Sequence, residues 1–209
     1  MAGGSGTRFW PASRRSRPKQ FLHLAGDRPL IRTTFERIQP LVPADRVWVV
    51  TTAGSAGLTR EVLPELPPSN VLAEPLGRDT AACAGFAAVT LRHHDPEAVC
   101  AVLPADHVIR ECSRFRRAVA AGAEFVASEG GLLTFGVRPT RPETGFGYLR
   151  VGAARGELDG HTVHELDRFV EKPDLDTAEG LRAAVAAARE AGWRQAGEHR
   201  REERPWGHY

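Results

Sequence analysis

The sequence has very little lysine, and it has no long apolar run. Only two of its 28 basic residues are lysines, Lys19 and Lys172, and the other 26 are arginines. No stretch approaches the roughly 20 apolar residues that cross a membrane, and residues 1–10 lack the apolar core of a signal peptide. We therefore expect a cytoplasmic protein that does not insert into a membrane.

Cysteine is also scarce. Cys83, Cys100 and Cys112 are odd in number, widely spaced and set in apolar contexts. This pattern argues against a disulfide framework and against a structural zinc site. We expect all three to be buried thiols.

The charge pattern does not indicate a nucleic-acid partner. The net charge is +2, and the arginines are interleaved with 26 acidic residues rather than gathered in a basic stripe. The two lysines are more informative, because a compact ammonium meets a phosphate as a point charge where a planar guanidinium cannot. We expect phosphate chemistry at Lys19 and Lys172, and the alternative is that two lysines remain by chance.

The 209 residues alternate between apolar strand patterns and helical patterns. Strands are predicted at 46–51, 71–73, 98–103 and 132–137, and helices at 30–41, 58–66, 80–93 and 113–128, with Asp79 as an N-cap. A hairpin around 152–160, a strand at 162–170 and an Ala-rich helix at 177–191 follow. The predicted fold is α/β, a mixed, mostly parallel sheet with helices on both faces, which binds ligands at the carboxyl ends of its strands.

A glycine-rich segment opens the chain. It brings successive backbone N–H groups within reach of phosphate oxygens, with a guanidinium directly behind, and it consists of Ala2, Gly3, Gly4, Ser5, Gly6, Thr7 and Arg8. Its spacing excludes a dinucleotide fingerprint, a Walker loop and a nucleophile elbow. The alternative for the segment alone is a flexible glycine turn.

Three further segments carry candidate site residues, and two of them lie at predicted strand ends. Lys19 lies eleven residues after Arg8, so both cations can reach one polyphosphate. Glu74 ends a strand, and its carboxylate can accept from the N1–H and amino group of guanine, with Pro75 and Gly77 beside it. Asp106 ends another strand, as a carboxylate that holds Mg²⁺ on phosphates does. Taken singly, Glu74 is more often a surface acid and Asp106 a turn residue.

The last two segments suit a sugar phosphate. Gly147 gives a backbone that a sugar can approach closely, with Tyr148 beside it. Glu171 offers an acid for sugar hydroxyls, and Lys172 offers a cation for a second phosphate. Each of these two motifs is weak evidence for a sugar site when taken alone, because Gly-X-Gly is common in hairpins and Glu-Lys is common in surface strands.

The order of these motifs resembles the sugar-phosphate nucleotidylyltransferases, and within them the long bacterial mannose-1-phosphate guanylyltransferases. The resemblance covers residues 2 to about 176 and rests on the glycine-rich segment and on Trp10-Pro11, Pro18-Lys19-Gln20, Glu74-Pro75-Leu76-Gly77-Arg78, Pro104-Ala105-Asp106-His107, Gly145-Phe146-Gly147-Tyr148 and Glu171-Lys172-Pro173.

The resemblance implies that GTP and mannose 1-phosphate react to give GDP-mannose and pyrophosphate, with Mg²⁺ as cofactor. Arg8, Lys19, Asp106 and Lys172 would be catalytic, and Asp106 would be the metal ligand. Ala2 to Thr7 with Glu74, Pro75 and Gly77 would bind the nucleotide, while Gly147, Tyr148 and Glu171 would face the sugar. A homo-oligomer is compatible with the resemblance.

The sequence departs from the family pattern in three places. Only Met1 and Ala2 precede the glycine-rich segment, so we expect the first strand of the core to be missing. The family's Trp-Asn-Ser-Gly segment and second metal-binding aspartate do not follow Lys172, and Asp174 or Asp176 is the nearest substitute. Residues 204–209 resemble the opening of a cupin-type isomerase domain.

We therefore expect a nucleotidyltransferase core at 1–176, an Ala-rich helix at 177–196 and a tail at 197–209. The sequence leaves two alternatives open. One is a catalytically impaired remnant that binds nucleotide. The other is a nucleotidylyltransferase for another hexose 1-phosphate.

Overall fold

A computed structural model of the chain describes residues 1–4, 9–14, 17–24, 26–139, 141–142, 144–180 and 183. These residues divide into two compact units, Met1–Ala123 and the part that begins at Glu124. None of the described helices is long and apolar enough to span a membrane. The predicted tail at 197–209 and most of the predicted helix at 177–196 lie outside the described residues, although residues 175–180 and 183 are helical.

The first unit is built on a parallel pair of strands, each followed by a helix. Strand β1 (Val49–Thr52) pairs with β2 (Val71–Glu74), with Val49 opposite Val71. The helices are α1 (Leu30–Ile38), α2 (Ala53–Val62), α3 (Asp79–His94) and α4 (Cys112–Glu129), the last of which continues into the second unit. Short 3₁₀ turns lie at Lys19–Phe21, Ala44–Arg46 and Pro68–Asn70.

Two residues widen this sheet without forming a strand. The Ala2 N–H donates to the Val50 carbonyl (2.8 Å), and the Ala105 N–H donates to the Met1 carbonyl (3.0 Å). Met1 also donates from its nitrogen to the Leu103 carbonyl (2.9 Å), which completes the hydrogen-bond pattern of a parallel ladder. Residues 1–2 therefore lie between β1 and residues 103–105.

The core of the first unit lies around this sheet. Val49, Val50 and Thr51 are all buried, as expected for a strand covered on both faces. Apolar side chains from helices, strands and the chain start form one buried cluster, which includes Ala2, Phe21, Ile31, Phe35, Val49, Ala56, Leu63, Leu66, Val71 and Ala105. The α/β prediction is confirmed here.

Two of the four strands predicted before residue 138 are wrong, one in each unit. Residues 98–103 and 132–137 are not strands, and Val99, Val102, Leu132 and Phe135 are exposed. Apolar β-branched residues favour extended backbone, but a strand also needs a partner for its N–H and C=O groups. The hydrogen bonds of Met1 reach only residues 103 and 105, and the described residues pair no strand with 132–137.

Helix ends also differ from the prediction. Asp79 is the first residue of α3 rather than its N-cap, and Arg78 holds the cap position without a capping side-chain hydrogen bond. Asp79 has φ 60°, in the left-handed region, so the loop before α3 turns sharply. Helix α2 begins at Ala53, five residues earlier than expected, directly after β1.

The second unit holds one long antiparallel hairpin, in place of the predicted short hairpin around 152–160 followed by a separate strand at 162–170. Strand β3 (Gly147–Leu158) pairs with β4 (His161–Glu171), and Asp159 and Gly160 at the turn both have positive φ, as in tight hairpins. Gly147 lies opposite Glu171 at the open end. A Cβ on Gly147 would lie 2.4 Å from the Phe169 ring, so this glycine makes room for an aromatic side chain.

The hairpin predicts a contrast between two glycines of β3. Gly147→Ala should lower the free energy of unfolding by up to about 1 kcal/mol, because the new methyl group overlaps the ring of the half-exposed Phe169, which must move aside. Gly156→Ala is the matched control, since nothing lies within 4 Å of its Cβ position, and it should be neutral or stabilising by up to about 1 kcal/mol. Urea unfolding measures both, and equal midpoints for the two variants would contradict this packing.

Candidate active site

Four predicted site segments of the first unit meet at the carboxyl edge of its sheet. Gly3 and Gly4 follow the Ala2 position beside β1, and Glu74 is the last residue of β2. Asp106 follows residues 103–105, and Lys19 lies in the first 3₁₀ turn. The sequence prediction that the site is formed by segments at this edge is consistent with this arrangement.

The Ala2 carbonyl anchors the glycine-rich segment through two buried side chains. Gln20 donates from Nε2 (2.6 Å), and Thr51 donates from Oγ1 (3.0 Å). Gln20 is 2% exposed and Thr51 is fully buried. Because both lone pairs of one carbonyl are used, the backbone that enters Gly3 and Gly4 is held in place.

Sequence reasoning missed Gln20 and Thr51 as site residues. Gln20 stands next to Lys19 in a motif of which only the lysine was given a role. Thr51 carries a hydroxyl group in an otherwise apolar strand. A polar side chain inside an apolar run is the signal that could have found Thr51, because buried hydroxyls need a partner.

The two described glycines leave room for charged neighbours. A Cβ on Gly3 would lie 2.9 Å from Glu74 Oε2, and a Cβ on Gly4 would lie 3.9 Å from Lys19 Cε. The glycine backbone therefore runs beside a carboxylate on one side and a lysine on the other. Ser5, Gly6, Thr7 and Arg8, which complete the predicted anion cradle, lie outside the described residues.

Lys19 and Asp106 form an ion pair through Nζ and Oδ2, with side chains 29% and 23% exposed. The structure thus joins the predicted phosphate-binding cation and the predicted metal-binding carboxylate, which are 87 residues apart in sequence. Partial burial lessens the screening of both charges by water. If the pair opens, each charge is left uncompensated unless a ligand replaces its partner.

Glu74 is a buried acid, 7% exposed, rather than the surface acid that its isolated sequence context favours. It lies close enough to Cys83 of α3 that its charge acts on the thiol. Burial raises the pKa of Cys83, and the Glu74 charge raises it further, so the thiol stays protonated at neutral pH. Pro75 and Gly77 follow Glu74 in an exposed loop.

All three cysteines are free thiols. Cys83 is buried as predicted, whereas Cys112 is half-buried and Cys100 is exposed. Cys100 is exposed because residues 98–103, which were expected to form a buried strand, lie outside the sheet.

The predicted sugar-facing residues lie together in the second unit, at the open end of the hairpin. Glu171 Oε1 and Lys172 Nζ form an ion pair (3.0 Å) with both side chains more than half exposed. Lys172 has φ 42° and donates its N–H to the Phe146 carbonyl (3.1 Å), which folds the end of β4 back toward β3. Tyr148 is half-buried in β3, across from Val170.

Asp106 offers the hard oxygen that Mg²⁺ prefers. The described residues contain no group of three or more His, Cys, Asp or Glu that could hold a metal ion. Asp174, one of the two candidates for a second ligand, accepts from the Thr177 N–H (2.8 Å) at the start of the last helical stretch. Hydrogen bonding to the Thr177 side chain, and next to its N–H, lowers the pKa of Asp174. Mg²⁺ commonly takes one or two carboxylates and completes its coordination with phosphate oxygens and water.

Fold and site together define an α/β protein that presents a glycine-rich segment, a lysine and carboxylates at one sheet edge. The family model described as Nucleotidyl transferase matches residues 1–192. The chain belongs to this nucleotidyl transferase family.

Named relatives agree with this assignment. The chain is 42% identical over 186 residues to the xanthan biosynthesis protein XanB of Xanthomonas campestris, covering 88% of this chain and 38% of that protein. It is 40% identical over 188 residues to mannose-1-phosphate guanylyltransferase of Escherichia coli K12, covering 88% and 39%. The chain therefore spans about two fifths of the length of these relatives.

Solved structures show the same fold. A crystal structure described as mannose-1-phosphate geranyltransferase from Thermus thermophilus superposes with a TM-score of 0.74 at 38% identity, covering 88% of this chain and 52% of that one. One described as mannose-6-phosphate isomerase from Helicobacter pylori superposes with a TM-score of 0.62 at 28% identity, covering 80% and 61%. The α/β nucleotidyltransferase fold predicted from the sequence is confirmed.

The hydrogen bonds to the Ala2 carbonyl predict that loss of the Gln20 side chain destabilises the protein. Gln20→Ala removes a 2.6 Å hydrogen bond from a buried carbonyl and should lower the free energy of unfolding by about 1 kcal/mol or more. The amide hydrogens of Gly3 and Gly4 should exchange faster with solvent. The exposed Gln39→Ala is the matched control and should change stability by no more than about 0.5 kcal/mol. Unchanged exchange at Gly3 and Gly4 would contradict the anchoring role.

Proposed function

We propose that the chain transfers a guanylyl group from GTP to mannose 1-phosphate, giving GDP-mannose and pyrophosphate. The observation that carries the proposal is the Lys19–Asp106 ion pair beside Gly4 and Glu74, at the carboxyl edge of the sheet. The names of the relatives point to the same sugar and base.

In this reaction a phosphate oxygen of mannose 1-phosphate attacks the α-phosphorus of GTP. A new P–O bond forms, and the bond from the α-phosphorus to the oxygen that bridges it to the β-phosphate breaks with that electron pair leaving on pyrophosphate. Such transfers depend on positioning and on neutralising charge rather than on covalent help from the protein. A glycine backbone, a lysine and a metal-binding carboxylate are the parts that this chemistry needs.

The proposal gives each residue of the first-unit site one task. The N–H groups from Gly3 onward hold the triphosphate together with Arg8, and Lys19 meets the charge that develops on the leaving pyrophosphate. Glu74 accepts from guanine, with the loop through Pro75 and Gly77 beside the base. Asp106 would hold Mg²⁺, which when bound neutralises phosphate charge.

The resting ion pair fits these tasks. In the free protein Lys19 and Asp106 neutralise one another. With nucleotide bound, Lys19 would turn to a phosphate oxygen and Asp106 would be free to hold Mg²⁺, so neither side chain would be left as an unpaired charge. The ion pair therefore holds both groups in place before substrate arrives.

In the second unit, Lys172 would take the phosphate of mannose 1-phosphate, and Glu171 would accept from sugar hydroxyls. Gly147 and Tyr148 would face the sugar. The exposed Glu171–Lys172 pair is open to solvent and so to a ligand. A cytoplasmic location, where GTP is available, and a homo-oligomer remain predictions.

The first experiment measures pyrophosphate release by the purified chain with GTP, Mg²⁺ and mannose 1-phosphate, against a reaction without the sugar phosphate. Sugar-dependent release supports the proposal. GTP binding without release, from a folded chain, would instead support a nucleotide-binding remnant. Pyrophosphate release with another hexose 1-phosphate, but not with mannose 1-phosphate, would identify that other sugar phosphate as the substrate.

Lys19 has the most direct test. Lys19→Ala should reduce kcat by at least about a hundredfold at saturating mannose 1-phosphate, as loss of a positioned donor to developing charge does. Asp95→Asn removes a charge from an exposed position after α3 and should leave kcat within about twofold. Turnover of Lys19→Ala near that of the unmodified chain would exclude Lys19 from the mechanism.

The role proposed for Glu74 predicts that this residue sets the preference for GTP over other nucleoside triphosphates. Glu74→Gln keeps the shape of the side chain and replaces one acceptor oxygen with a donor, so kcat/KM for GTP should fall roughly tenfold to a hundredfold. The ratio of kcat/KM for GTP over that for UTP should fall with it. Competition between nucleoside triphosphates measures this ratio, and an unmodified chain that prefers UTP or dTTP would overturn the role of Glu74.

A further inference from the structure

A cavity of about 330 Å³ lies in the first unit, on the side of α1 and the start of α4. Its volume falls at the low end of the range for small-molecule sites, roughly 300–1,000 Å³. None of the residues assigned above to nucleotide, metal or sugar lines it. Its polar lining comes from Thr33, Glu36 and Arg37 of α1 and from Cys112 and Arg116 of α4.

Arg37 is the unusual residue of this cavity. It is 6% exposed, and no carboxylate of the described residues forms an ion pair with it. Its Nη2 donates to the His107 carbonyl (3.0 Å), and its guanidinium lies 5.8 Å from the centre of the Phe115 ring. Its buried Nε has no hydrogen-bond partner among the described residues. Burial lowers its pKa, because the charged form loses water.

The other groups around the cavity leave it positive. Arg116 is half-buried and donates from Nη1 to the Arg37 carbonyl (3.2 Å), which spends one of its five N–H donors. Helix α4 begins at Cys112, so the positive end of its dipole lies at the lining as well. The one acid, Glu36, is already paired with Arg28 and with Arg32 (2.8 Å), so its charge is compensated.

From these observations we infer that the cavity between α1 and α4 is a second anion site that binds a phosphate group, held by Arg37 and Arg116 beside the start of α4. Two guanidiniums with unused donors suit an oxyanion, because their planar forks match phosphate oxygens in pairs. The phosphate group could be free phosphate or that of a small sugar phosphate, and both are arms of the test.

Cys112 supplies a local reporter, since its thiol lines the cavity while its Sγ contacts the Ile109 carbonyl at 3.5 Å. The experiment follows alkylation of each cysteine of the full chain by iodoacetamide, read by peptide mass spectrometry. Inorganic phosphate at about ten times its Kd should slow Cys112 alkylation roughly tenfold. The exposed Cys100 is an internal control and should react at an unchanged rate.

Variants then locate the effect. Arg116→Gln should abolish the protection of Cys112, whereas Arg114→Gln, in the same turn of α4 but outside the lining, should keep it. Lys19→Ala should also keep it, because Lys19 belongs to the candidate active site. Circular dichroism confirms that each variant is folded.

The outcomes separate this inference from the proposed function. Protection by inorganic phosphate alone identifies free phosphate as the ligand, and protection by mannose 1-phosphate as well identifies a phosphate monoester. Both support the inference. An unchanged Cys112 rate in the presence of either compound would overturn it, and so would protection that survives Arg116→Gln but disappears in Lys19→Ala.

Discussion

The first unit depends on a set of hydrogen bonds around residues 1 and 2. The Ala2 N–H binds β1, the Met1 carbonyl binds Ala105, and the Ala2 carbonyl accepts from Gln20 and Thr51. These bonds fix where the glycine-rich segment leaves the sheet, and they bring Asp106 to the same edge as Glu74. A shift of this short segment would move Gly3 relative to Glu74, where the free space is already less than one methyl group.

Much of this arrangement could be predicted from the sequence. The parallel pair at 49–52 and 71–74, the helices that follow and the hairpin are visible in periodicity and turn residues. The strands at 98–103 and 132–137 could not be judged in this way, because a strand depends on a partner that its own residues do not specify. The burial of Gln20 and Thr51 likewise follows from the position of one distant carbonyl.

The candidate site was also only partly predictable from the sequence. The strand pattern placed Glu74 and Asp106 at strand ends and Lys19 in a loop after Arg8, yet it gave no sign that Lys19 and Asp106 would pair with each other. Their pairing requires the 3₁₀ turn at Lys19–Phe21 and the turn after residue 105 to face one another, which is a tertiary property. The role of Gly147 was also only partly visible, since its contact with Phe169 arises from hairpin register.

Backbone contacts also connect the proposed anion cavity to the carboxylate that would hold the metal. Arg37 donates to the carbonyl of His107, the residue directly after Asp106, and Arg116 donates to the carbonyl of Arg37 itself. An anion that draws on the guanidinium of Arg37 must compete with, or reinforce, the hydrogen bond that holds this turn. In the proposed reaction Asp106 would exchange Lys19 for a metal ion, so a small change in the 106–107 backbone would act on the balance between those two states. Arg37, which is buried and has no carboxylate partner among the described residues, donates its hydrogen bond to the residue directly after that carboxylate.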